Sequence, residues 1–531
     1  MFKRKLMYLA IPTILALFCV GLATEISGPL TDTLHFSSSP YEIVGDIFIP
    51  SGSSLVIEPG VVMNFQGAYS FHVNNGAVLS AIGTEPDSII FTCDTLLVPG
   101  GWGGIFFDTS GSGCILQYCR VEFAEFGAIV GYRTNAAIRN CHITHNWSVY
   151  TGLPEIAEGI TFLYNSHPTI EYNLIDDNFW AHTFGIIIDN SSAEIIGNTI
   201  AHHIGYIGLN VYHCYDVIIE NNIISDNQGD DGVAMRIIMC DNVTIEGNLV
   251  TRNTGLYSAE IITVNSSNRI FFNNNILTYN HALESQLPPL FIFGYCDAVS
   301  IVGNMVAGNQ AKKSPGIGVF ETTLGKFANN VFVNNTSLWN MAPVAGIPKA
   351  DNCIFWNNSG SLQDSGFYYC DIQGGHPGEG NIDIDPIFRD TTSGDYHLMS
   401  IACGDPFDSP CIDAGSPLYY DDSLSCNWGL GTTLCDMGAH GGVSSYCIYD
   451  AGDVNGDGSA NGIDVVYFVN YLKGGPEPVI YCNCANQPYF YAAADVNGNC
   501  VANGIDITFF VRYLKGQVPS LLSCPDCPPG R

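Results

Sequence analysis

The chain has few positive charges. It contains 18 Lys and Arg residues against 51 Asp and Glu residues, and its formal net charge at pH 7 is −33. Proteins that bind nucleic acids displace phosphate counterions with Lys and Arg side chains, so this composition argues against a nucleic-acid partner. A strongly acidic surface instead favours solubility, and it can also attract cations such as Ca²⁺.

Long apolar runs are missing after the first 23 residues. The start of the chain has three basic residues at positions 3–5, an apolar stretch over 6–20 and the small-residue site Gly21-Leu22-Ala23, which is the pattern of an export signal. No later run of about 18 apolar residues is present, so we expect no membrane span in the mature protein. The prediction is a signal peptide at 1–23 and a secreted protein, extracellular or at the cell surface.

Cysteines are unevenly placed. Removing Cys19 with the signal leaves 20 − 1 = 19 cysteines, an odd number, so at least one cannot pair within the chain. Ten lie after residue 400 in loop-rich sequence, and we expect the disulfides of an exported protein mainly there. The pairs Cys482/Cys484 and Cys524/Cys527 also resemble half-sites for zinc.

The region 115–360 has no room for a capped helix of ten residues and instead repeats a short motif. Asn or Cys is followed by apolar residues and, five positions after the first, by a second Asn or by His; successive motifs are 23 to 32 residues apart. The motifs are 141–146, 173–178, 198–203, 222–227, 248–253, 275–280, 304–309, 330–335 and 353–358. Self-similarity at this period predicts a stacked solenoid.

The repeats predict strands rather than helices, because they are short, alternate in polarity and have Gly and Asn at their corners. Asn at a repeated corner can hydrogen-bond to the coils above and below, which offsets the cost of burying its amide. Cys214, Cys240 and Cys296 each lie eight residues before a ladder Asn, and we expect them to form an inward-facing, packed column of thiols.

Residues 53–125 resemble the opening of right-handed parallel β-helix proteins of the pectate-lyase-like superfamily. The matching segments are 55–60, 76–79, 81–84, 89–92 and 102–107, and the resemblance extends over about 40–400. It implies an all-β right-handed parallel β-helix of about a dozen coils, roughly 55–60 Å long. We expect the β-helix domain to span 24–445, with 383–442 as a C-terminal wrap that closes the final coils and covers open strand edges.

Two similar twelve-residue loops, 453–464 and 495–506, carry oxygen-bearing side chains at positions 1, 3, 5, 9 and 12. Ca²⁺ takes six to eight oxygen ligands, and this spacing wraps them around one ion. The predicted ligands of the first loop are Asp453, Asn455, Asp457, the carbonyl of Ser459, Asn461 and Asp464. An ordinary Asp/Asn/Gly turn is the alternative, but the duplication argues against it.

The second loop has the predicted ligands Asp495, Asn497, Asn499, the carbonyl of Val501, Asn503 and Asp506. It has one carboxylate fewer than the first loop, and Cys500 replaces the turn glycine, Gly458. We therefore expect weaker Ca²⁺ binding here, with a disulfide holding the turn.

Each loop runs into a helix pattern that ends in Tyr-Leu-Lys-Gly, and the duplicated unit resembles a type I dockerin. The resemblance implies a helical module over 446–531 with two Ca²⁺ ions and a cohesin-like scaffold or cell-surface partner. In dockerins, loop positions 10 and 11 help to choose the cohesin. Here they are Gly462-Ile463 and Gly504-Ile505 rather than a polar pair, which leaves open a different surface anchor.

The segment 228–235 resembles the Gly-Asp-Asp-Cys segment of polygalacturonases, in which paired carboxylates act as general acid and base. This implies catalytic roles for Asp230 and Asp231, and stacking places Glu260 beside them, one coil on. The neighbouring Asn-Thr-Asp and Gly-His-Gly elements are absent, as is the Arg-x-Pro-x-x-Arg signature of pectate lyases. A solvated acidic turn is the alternative.

Together these features predict a secreted protein that binds or degrades a polysaccharide and is docked by its C-terminal module. If it is an enzyme, the expected class is a polysaccharide lyase or a glycoside hydrolase. The alternative is a non-enzymatic surface or adhesin rod.

Overall fold

The protein is described from a computed structural model. The described residues are 23–93, 101–147, 158–178, 184–205, 207–229, 232–256, 260–282, 290–362, 366–417, 419, 421, 424–426, 429–441, 449–478, 482–484 and 487–524. The predicted export signal, apart from its last residue, and the predicted linker at 442–448 lie outside them.

The chain winds into a parallel β-helix of about 11 turns, which confirms the predicted all-β solenoid. A typical coil contributes one strand to each of three sheets, which we name A, B and C in chain order. In one coil these strands are Phe184–Asp189, Ala193–Ile196 and Thr199–Ala201. Each pairs in parallel with the equivalent strand of the next coil.

The strands of each sheet stack in sequence order. Sheet A contains Tyr41–Ile49, Ser70–Val73, Gly104–Asp108, Ile129–Tyr132, Ile160–Leu163, Phe184–Asp189, Ile207–Tyr212, Met235–Ile238, Ile262–Asn265, Phe291–Gly294, Ile317–Phe320 and Val344–Ala345. Sheet B contains Thr33–Leu34, Ser54–Ile57, Val78–Ile82, Ile115–Gln117, Ala137–Arg139, Thr169–Glu171, Ala193–Ile196, Tyr215–Glu220, Asp241–Glu246, Asn268–Asn273, Asp297–Val302, Leu324–Ala328, Ala350–Asp351 and Phe367–Tyr368.

The long strand Tyr41–Ile49 belongs to both sheet A and sheet C, and the strand Thr24–Pro29 pairs with it in parallel. The further strands of sheet C are Val62–Phe65, Ile89–Cys93, Cys119–Glu122, His142–Thr144, Leu174–Asp176, Thr199–Ala201, Ile223–Ser225, Leu249–Thr251, Ile276–Thr278, Met305–Ala307, Val331–Val333, Ile354–Trp356 and Asp371–Ile372. A fourth, short sheet contains Ile204–Gly205, Gln228–Gly229, Thr254–Gly255, His281–Ala282, Gln310–Ala311 and Thr336–Ser337.

The core forms because alternate residues of every coil point inward. In the coil just described, Ile186 and Ile188 of sheet A, Ile195 of sheet B and Ile200 of sheet C are fully buried in one cluster. Since side chains alternate between the two faces of a strand, the residues between them face outward. The outward faces of the sheets are therefore where a ligand can reach the rod.

Two asparagine ladders follow the corners that the repeat predicts. Between sheets B and C, the side-chain oxygen of each Asn accepts the backbone N–H of the preceding rung at 2.9–3.0 Å. Its rungs are Asn173, Asn198, Asn222, Asn248, Asn275, Asn304 and Asn330, with Cys141 and Cys353 extending it at its two ends. The second ladder lies at the end of sheet C and has the rungs Asn146, Asn178, His203, Asn227, Asn253, Asn280, Asn309, Asn335 and Asn358.

The predicted thiol column lies between sheets A and B and is buried, as expected. It is not made of thiols alone. The Sγ of Cys240 accepts the N–H of Cys214, the hydroxyl of Ser267 accepts the N–H of Cys240, and the hydroxyl of Thr322 accepts the N–H of Cys296. Thiols and hydroxyls thus serve the same corner, because both are small acceptors that reach the neighbouring backbone.

The segment after the last coil packs along the outer face of sheet C. Its antiparallel strands Phe388–Asp390 and Asp395–Leu398 and its later residue Met437 form an apolar cluster with Val331 and Ile354 of the rod. The amide of Asn329 reaches the backbone carbonyl of Asp436, at 3.1 Å. Cys403 pairs with Cys426 in this segment. The predicted wrap is therefore a lateral cover of the final coils.

The C-terminal region has two helices, α1 at Gly462–Leu472 and α2 at Gly504–Leu514, and one antiparallel pair of strands, Cys482–Cys484 with Gln487–Phe490. Short 3₁₀ helices occur at Phe36–Ser38, Ile401–Cys403 and Ala492–Ala494. No helix among the described residues combines the length and the apolar character that crossing a membrane requires.

Candidate functional site

The first predicted Ca²⁺ loop is closed by its last carboxylate. One oxygen of Asp464 accepts the N–H groups of Val454 and Asn455 at 2.9 and 3.1 Å, and the other accepts the N–H of Asn461 at 2.9 Å. The Asn461 side chain in turn accepts the N–H of Ile463 at 2.8 Å. Loop and helix α1 are thereby joined through a reciprocal cap, which orients the loop at the positive end of the helix dipole.

The carboxylates of the first loop converge. Oxygens of Asp453, Asp457 and Asp464 all lie within 4.8 Å of one another, and Asp453 and Asp464 are buried. Within the part of the chain that the structure describes, none of the three forms an ion pair with Lys, Arg or His. Buried like charges without a counterion are costly, so this donor set suits a hard cation.

The remaining predicted ligands of the first loop are positioned by local hydrogen bonds. The Asn455 oxygen accepts the N–H of Asp457 at 2.9 Å, and the Asn461 amide donates to the carbonyl of Ser459 at 2.9 Å. All of these oxygens are hard ligands of the type that Ca²⁺ takes. The six residues therefore fit Ca²⁺, and their role as ligands stays a prediction.

The second loop repeats this arrangement with fewer charges. Asp495 accepts the N–H groups of Asn499 and Cys500 at 3.2 and 2.8 Å, and Asp506 accepts the N–H of Asn503 at 2.9 Å. The Asn503 amide donates to the carbonyl of Val501 at 3.1 Å. Burial, with a smaller contribution from the nearby Asp495, raises the pKa of Asp506 to about 6.

Cys500 occupies the turn position for which a glycine is expected. Its φ of 61° lies in the left-handed region, and its sulfur is bonded to Cys524. The disulfide anticipated at this turn is therefore confirmed. It links the second loop to the segment that follows α2.

The two helices expose the same apolar residue at the same place. Ile463 and Ile505, at loop position 11, are 62% and 64% exposed, whereas Phe468 and Phe510 on the opposite side of the helices are buried. The duplicated unit therefore presents two similar apolar contact points to solvent.

Of the three predicted catalytic carboxylates, Asp230 and Asp231 lie outside the described residues. Glu260 is buried, at 7% exposure, and its carbonyl accepts the N–H of Val233 at 3.0 Å. Glu260 is therefore in register with Val233, which lies one coil earlier and two positions after Asp231. The three residues as a catalytic group stay a prediction.

Arg236, which lies near the predicted catalytic carboxylates in the sequence, belongs to a polar row on the outer face of sheet A that the sequence does not reveal as a row. Asn210, Arg236 and Thr263 are in register on three successive strands, each between inward-pointing apolar residues. The side-chain oxygens of Asn210 and Thr263 are buried and have no hydrogen-bond partner among the described residues. In the sequence, the three residues are linked only by their spacings of 26 and 27 residues. These spacings indicate a row only when the register of the coils is already known.

Among the described carboxyl groups near this row, Glu158 has the most strongly shifted pKa. It is 2% exposed, accepts the N–H of Phe184 at 2.7 Å, and burial raises its pKa to about 8. Hydrogen bonds and register place it in one column with Glu260, four coil steps away, or roughly 19 Å at about 4.8 Å per step. These two carboxyls are therefore too far apart to act on one bond.

The histidines near this region have other roles or lie outside the described residues. His203 is a buried rung of the second ladder, and burial lowers its pKa to about 4. His202 is exposed beside Asp176 and Asp177. His182 and Tyr206 lie outside the described residues.

Comparison with known proteins identifies both regions. The family described as "Right handed beta helix region" matches residues 80–184 and 184–374, and the family "Dockerin type I domain" matches 451–515. No curated protein matches the sequence.

Solved structures with a similar course of the chain include the Azotobacter vinelandii mannuronan C-5 epimerase AlgE6 A-module, with 12% identity, 68% of this chain and 91% of that chain covered, and a TM-score of 0.36. Pectate lyase Pel9A matches with 11% identity, 74% and 88% covered, and a TM-score of 0.32. PfbA, a surface adhesin of Streptococcus pneumoniae, matches with 11% identity, 58% and 82% covered, and a TM-score of 0.29. Identities and TM-scores this low show nothing about the activity or the substrate of this chain.

Proposed function

We propose that this chain, which belongs to the right-handed β-helix family and carries a type I dockerin domain, is a secreted polysaccharide-associated protein. The rod, residues 24–445, binds or degrades a glycan outside the cell after removal of residues 1–23. The module at 446–531 docks it to a cohesin-type scaffold or to a cell surface.

The observation that carries the proposal is the duplicated loop and helix. Type I dockerin domains are calcium-binding, and both loops here end in a helix capped by the loop's own last carboxylate. Two such loops support two Ca²⁺ sites, with the six predicted ligands in each.

Docking is tested by calorimetry of the full chain with a type I cohesin in Ca²⁺ and in a chelator. We expect binding only in Ca²⁺, and we expect it to be lost when both exposed isoleucines are replaced, as Ile463→Asp with Ile505→Asp. Replacing Ile204, which is exposed to a similar extent on the rod, with Asp is the matched control. Absence of cohesin binding in Ca²⁺ would contradict the docking role, and binding that persists in the chelator would contradict its dependence on Ca²⁺.

Glycan processing is supported by the polar outer face of sheet A and by the carboxylates proposed from the sequence. Asp230, Asp231 and Glu260 would supply a general acid and base for cleavage of a glycosidic bond. The test incubates the full chain with a panel of polysaccharides, with and without Ca²⁺, and analyses the products. Unsaturated products would indicate a lyase and saturated fragments a hydrolase.

If products form, Asp231→Asn should abolish turnover and leave thermal melting nearly unchanged. Asp216→Asn, at an exposed position of sheet B, is the control that should keep full activity. An Asp231→Asn variant that retains turnover would remove this site from the proposal.

A non-enzymatic surface rod is the second candidate. It is favoured by the sequence itself, which lacks the Arg-x-Pro-x-x-Arg signature of pectate lyases and the elements that flank the acidic pair in polygalacturonases. Glycan binding without any products across the panel would select this candidate over the enzyme.

A further inference from the structure

A recess of about 360 Å³ opens on the outer face of sheet A, near the N-terminal end of the rod. It is lined by His72, Phe106, Asp108, Tyr132, Arg133 and Tyr164. These residues come from four successive coils, which span roughly 14 Å at about 4.8 Å per step. None of them was singled out from the sequence, and they lie away from the column of Glu158 and Glu260.

Aromatic rings line the recess as neighbouring pairs. His72 and Phe106 are adjacent across the strands and stack with ring centroids 5.3 Å apart, and Tyr132 and Tyr164 stack at 6.2 Å. Phe106 faces outward and is partly exposed, whereas the residues on either side of it, Ile105 and Phe107, fill the core. The fold therefore does not need an aromatic residue at this outward position, since the core is complete without it.

Partly exposed aromatic faces in a row are suited to the apolar faces of sugar rings. A ring buries a large apolar area while losing few side-chain rotamers on binding. The pair His72/Phe106 and the pair Tyr132/Tyr164 lie on consecutive coils. Phe106 is in register with Val130, so Tyr132 lies two residues further along its strand and the second pair is offset from the first. An extended oligosaccharide that crosses the coils obliquely would contact the two pairs in turn.

Two charged residues, Arg133 and Asp108, line the recess and are exposed. The Arg133 guanidinium is exposed and lies 5.9 Å from the centroid of the Tyr164 ring. A guanidinium pairs with a carboxylate through two parallel hydrogen bonds. Asp108, in register with Tyr132, can accept hydrogen bonds from sugar hydroxyls.

Because the chain has a large negative net charge, the position of the Arg133 cation indicates where an anionic ligand can bind. With a formal charge of −33, the protein as a whole repels polyanions over distances up to a Debye length of about 8 Å. An acidic polysaccharide therefore binds more readily where a cation offsets that repulsion locally. Arg133 provides such a cation beside stacked aromatic rings, and it also balances the one carboxylate that lines the recess, that of Asp108.

We infer that this recess binds an acidic saccharide, with sugar rings stacked on the aromatic pairs and a uronate carboxylate paired with Arg133. The inference rests on the proposed function, in which the rod handles a glycan, and it names the class of glycan and the place where it binds.

The test is calorimetry of the full chain with oligogalacturonate, with oligoalginate and with a neutral cello-oligosaccharide of the same length. We expect an acidic oligosaccharide to bind more tightly than the neutral one. Tyr164→Ala should weaken its binding by about tenfold, which corresponds to 1.4 kcal/mol. Arg133→Gln should remove the preference for acidic over neutral sugar while leaving neutral binding unchanged.

Matched controls are available in the same chain. Tyr295 occupies the same corner of sheet A as Tyr164, with a φ of 53° against 56°, but lies outside the recess. Tyr295→Ala should leave binding unchanged. Arg269→Gln, at an exposed residue paired with Asp241, removes the same charge elsewhere and should not change the preference.

The outcomes separate this inference from the proposed function. If an acidic sugar binds the wild type and both recess variants equally, the recess is overturned and the glycan role stands. If Trp339→Ala abolishes binding instead, the site belongs to the exposed Trp339 and its neighbours Lys312 and Lys313, and the inference is again overturned. If the wild type binds no oligosaccharide and yields no product from the panel, both fail.

Discussion

Glu158 shows how one buried side chain can make the stability of the rod depend on pH. Its pKa is about 8 in the folded protein, against an ordinary value of 4.5, because burial penalises the charged form. A raised carboxyl pKa means that the folded state prefers the proton. The contribution of Glu158 to stability is therefore fully present below about pH 4.5 and is lost as the pH rises to about 8, by an amount on the order of a few kcal/mol.

Glu158→Gln should remove this dependence. The amide oxygen can still accept the N–H of Phe184, and the side chain no longer has to lose a proton in the interior. We expect the variant to melt at a higher temperature than the wild type at pH 9 and at a similar temperature at pH 4. The measurement is thermal unfolding by circular dichroism across this range.

Glu85→Gln, at an exposed loop position, is the matched control and should follow the wild type at every pH. If the melting temperatures of the wild type and of Glu158→Gln change in parallel with pH, Glu158 is ionised in the folded protein and the argument is wrong.

At the scale of elements, the asparagine ladder joins the coils. Asn248 accepts the N–H of Asn222 at 2.9 Å, and its amide donates to the carbonyl of Ile219 at 2.8 Å and to the Asn275 oxygen at 3.0 Å. Asn248→Ala would remove the side-chain partner of two buried groups, the N–H of Asn222 and the carbonyl of Ile219, whereas the Asn275 oxygen keeps the backbone N–H of residue 248. At about 1–3 kcal/mol for each of the two groups, the expected loss of stability is roughly 2–6 kcal/mol.

Chemical denaturation of Asn248→Ala against the wild type measures this loss. Asn268→Ala removes an exposed asparagine that bonds to Asp241 on sheet B, and it should cost about 0.5 kcal/mol or less. Equal effects of the two substitutions would show that the ladder does not stabilise the coils.

The ladder and the strands were predictable because they repeat. Nine motifs, each with the same distance of five positions between its first and last residue, identify equivalent positions, so the role of one asparagine can be inferred from the others. The hydroxyl rungs of the thiol column were not identified, because Ser and Thr at a corner are common in any loop. The recess at Arg133 could not be found either, since its residues are far apart in the sequence and only the coil register brings them together.

The two predicted Ca²⁺ loops differ at position 5, where Asp457 of the first corresponds to Asn499 of the second. More ligand charge raises Ca²⁺ affinity. Asn499→Asp should therefore tighten binding at the second loop by about tenfold, which corresponds to 1.4 kcal/mol. Calorimetric titration of the full chain with Ca²⁺ should show two classes of site in the wild type and one class in the variant.

The reverse change, Asp457→Asn, is the matched control and should weaken the first loop toward the second. If Asn499→Asp leaves both affinities unchanged, the Asn499 side chain is not a ligand. The Cys500–Cys524 bond would then have to be considered as what shapes the second site.

At the scale of the whole molecule, the rod has apolar surface beyond its core. Outward residues of the last strands of sheet C, including Val331, Val333 and Ile354, are buried only because the wrap lies over them. The sequence predicted a wrap that closes the open end of the coils, whereas the segment lies along sheet C; its place was not predictable, since a segment without repeats has no equivalent positions to compare. Its place depends on packing between residues that are, like Asn329 and Asp436, 107 positions apart.

Met437→Asp tests this cover. Met437 is fully buried in the cluster between the wrap and sheet C, so a carboxylate there would have to be desolvated or the wrap would have to detach. Detachment of the wrap costs less free energy than desolvation of the carboxylate, because the coils keep their own core and ladders. We expect binding of an apolar dye, self-association in size-exclusion chromatography and proteolytic cleavage within 384–441, with the β-sheet signal in circular dichroism largely retained.

Met341→Asp is the matched control, because Met341 is 43% exposed on the rod, and it should behave as the wild type. Loss of the whole β-sheet signal in Met437→Asp would contradict the argument, because it would mean that the coils depend on the wrap to fold. Retention of that signal with an exposed sheet C would show instead that the wrap protects a rod that is stable by itself. The acidic surface would not then suffice to keep the rod monomeric, since charge opposes association at long range while apolar area drives it at contact.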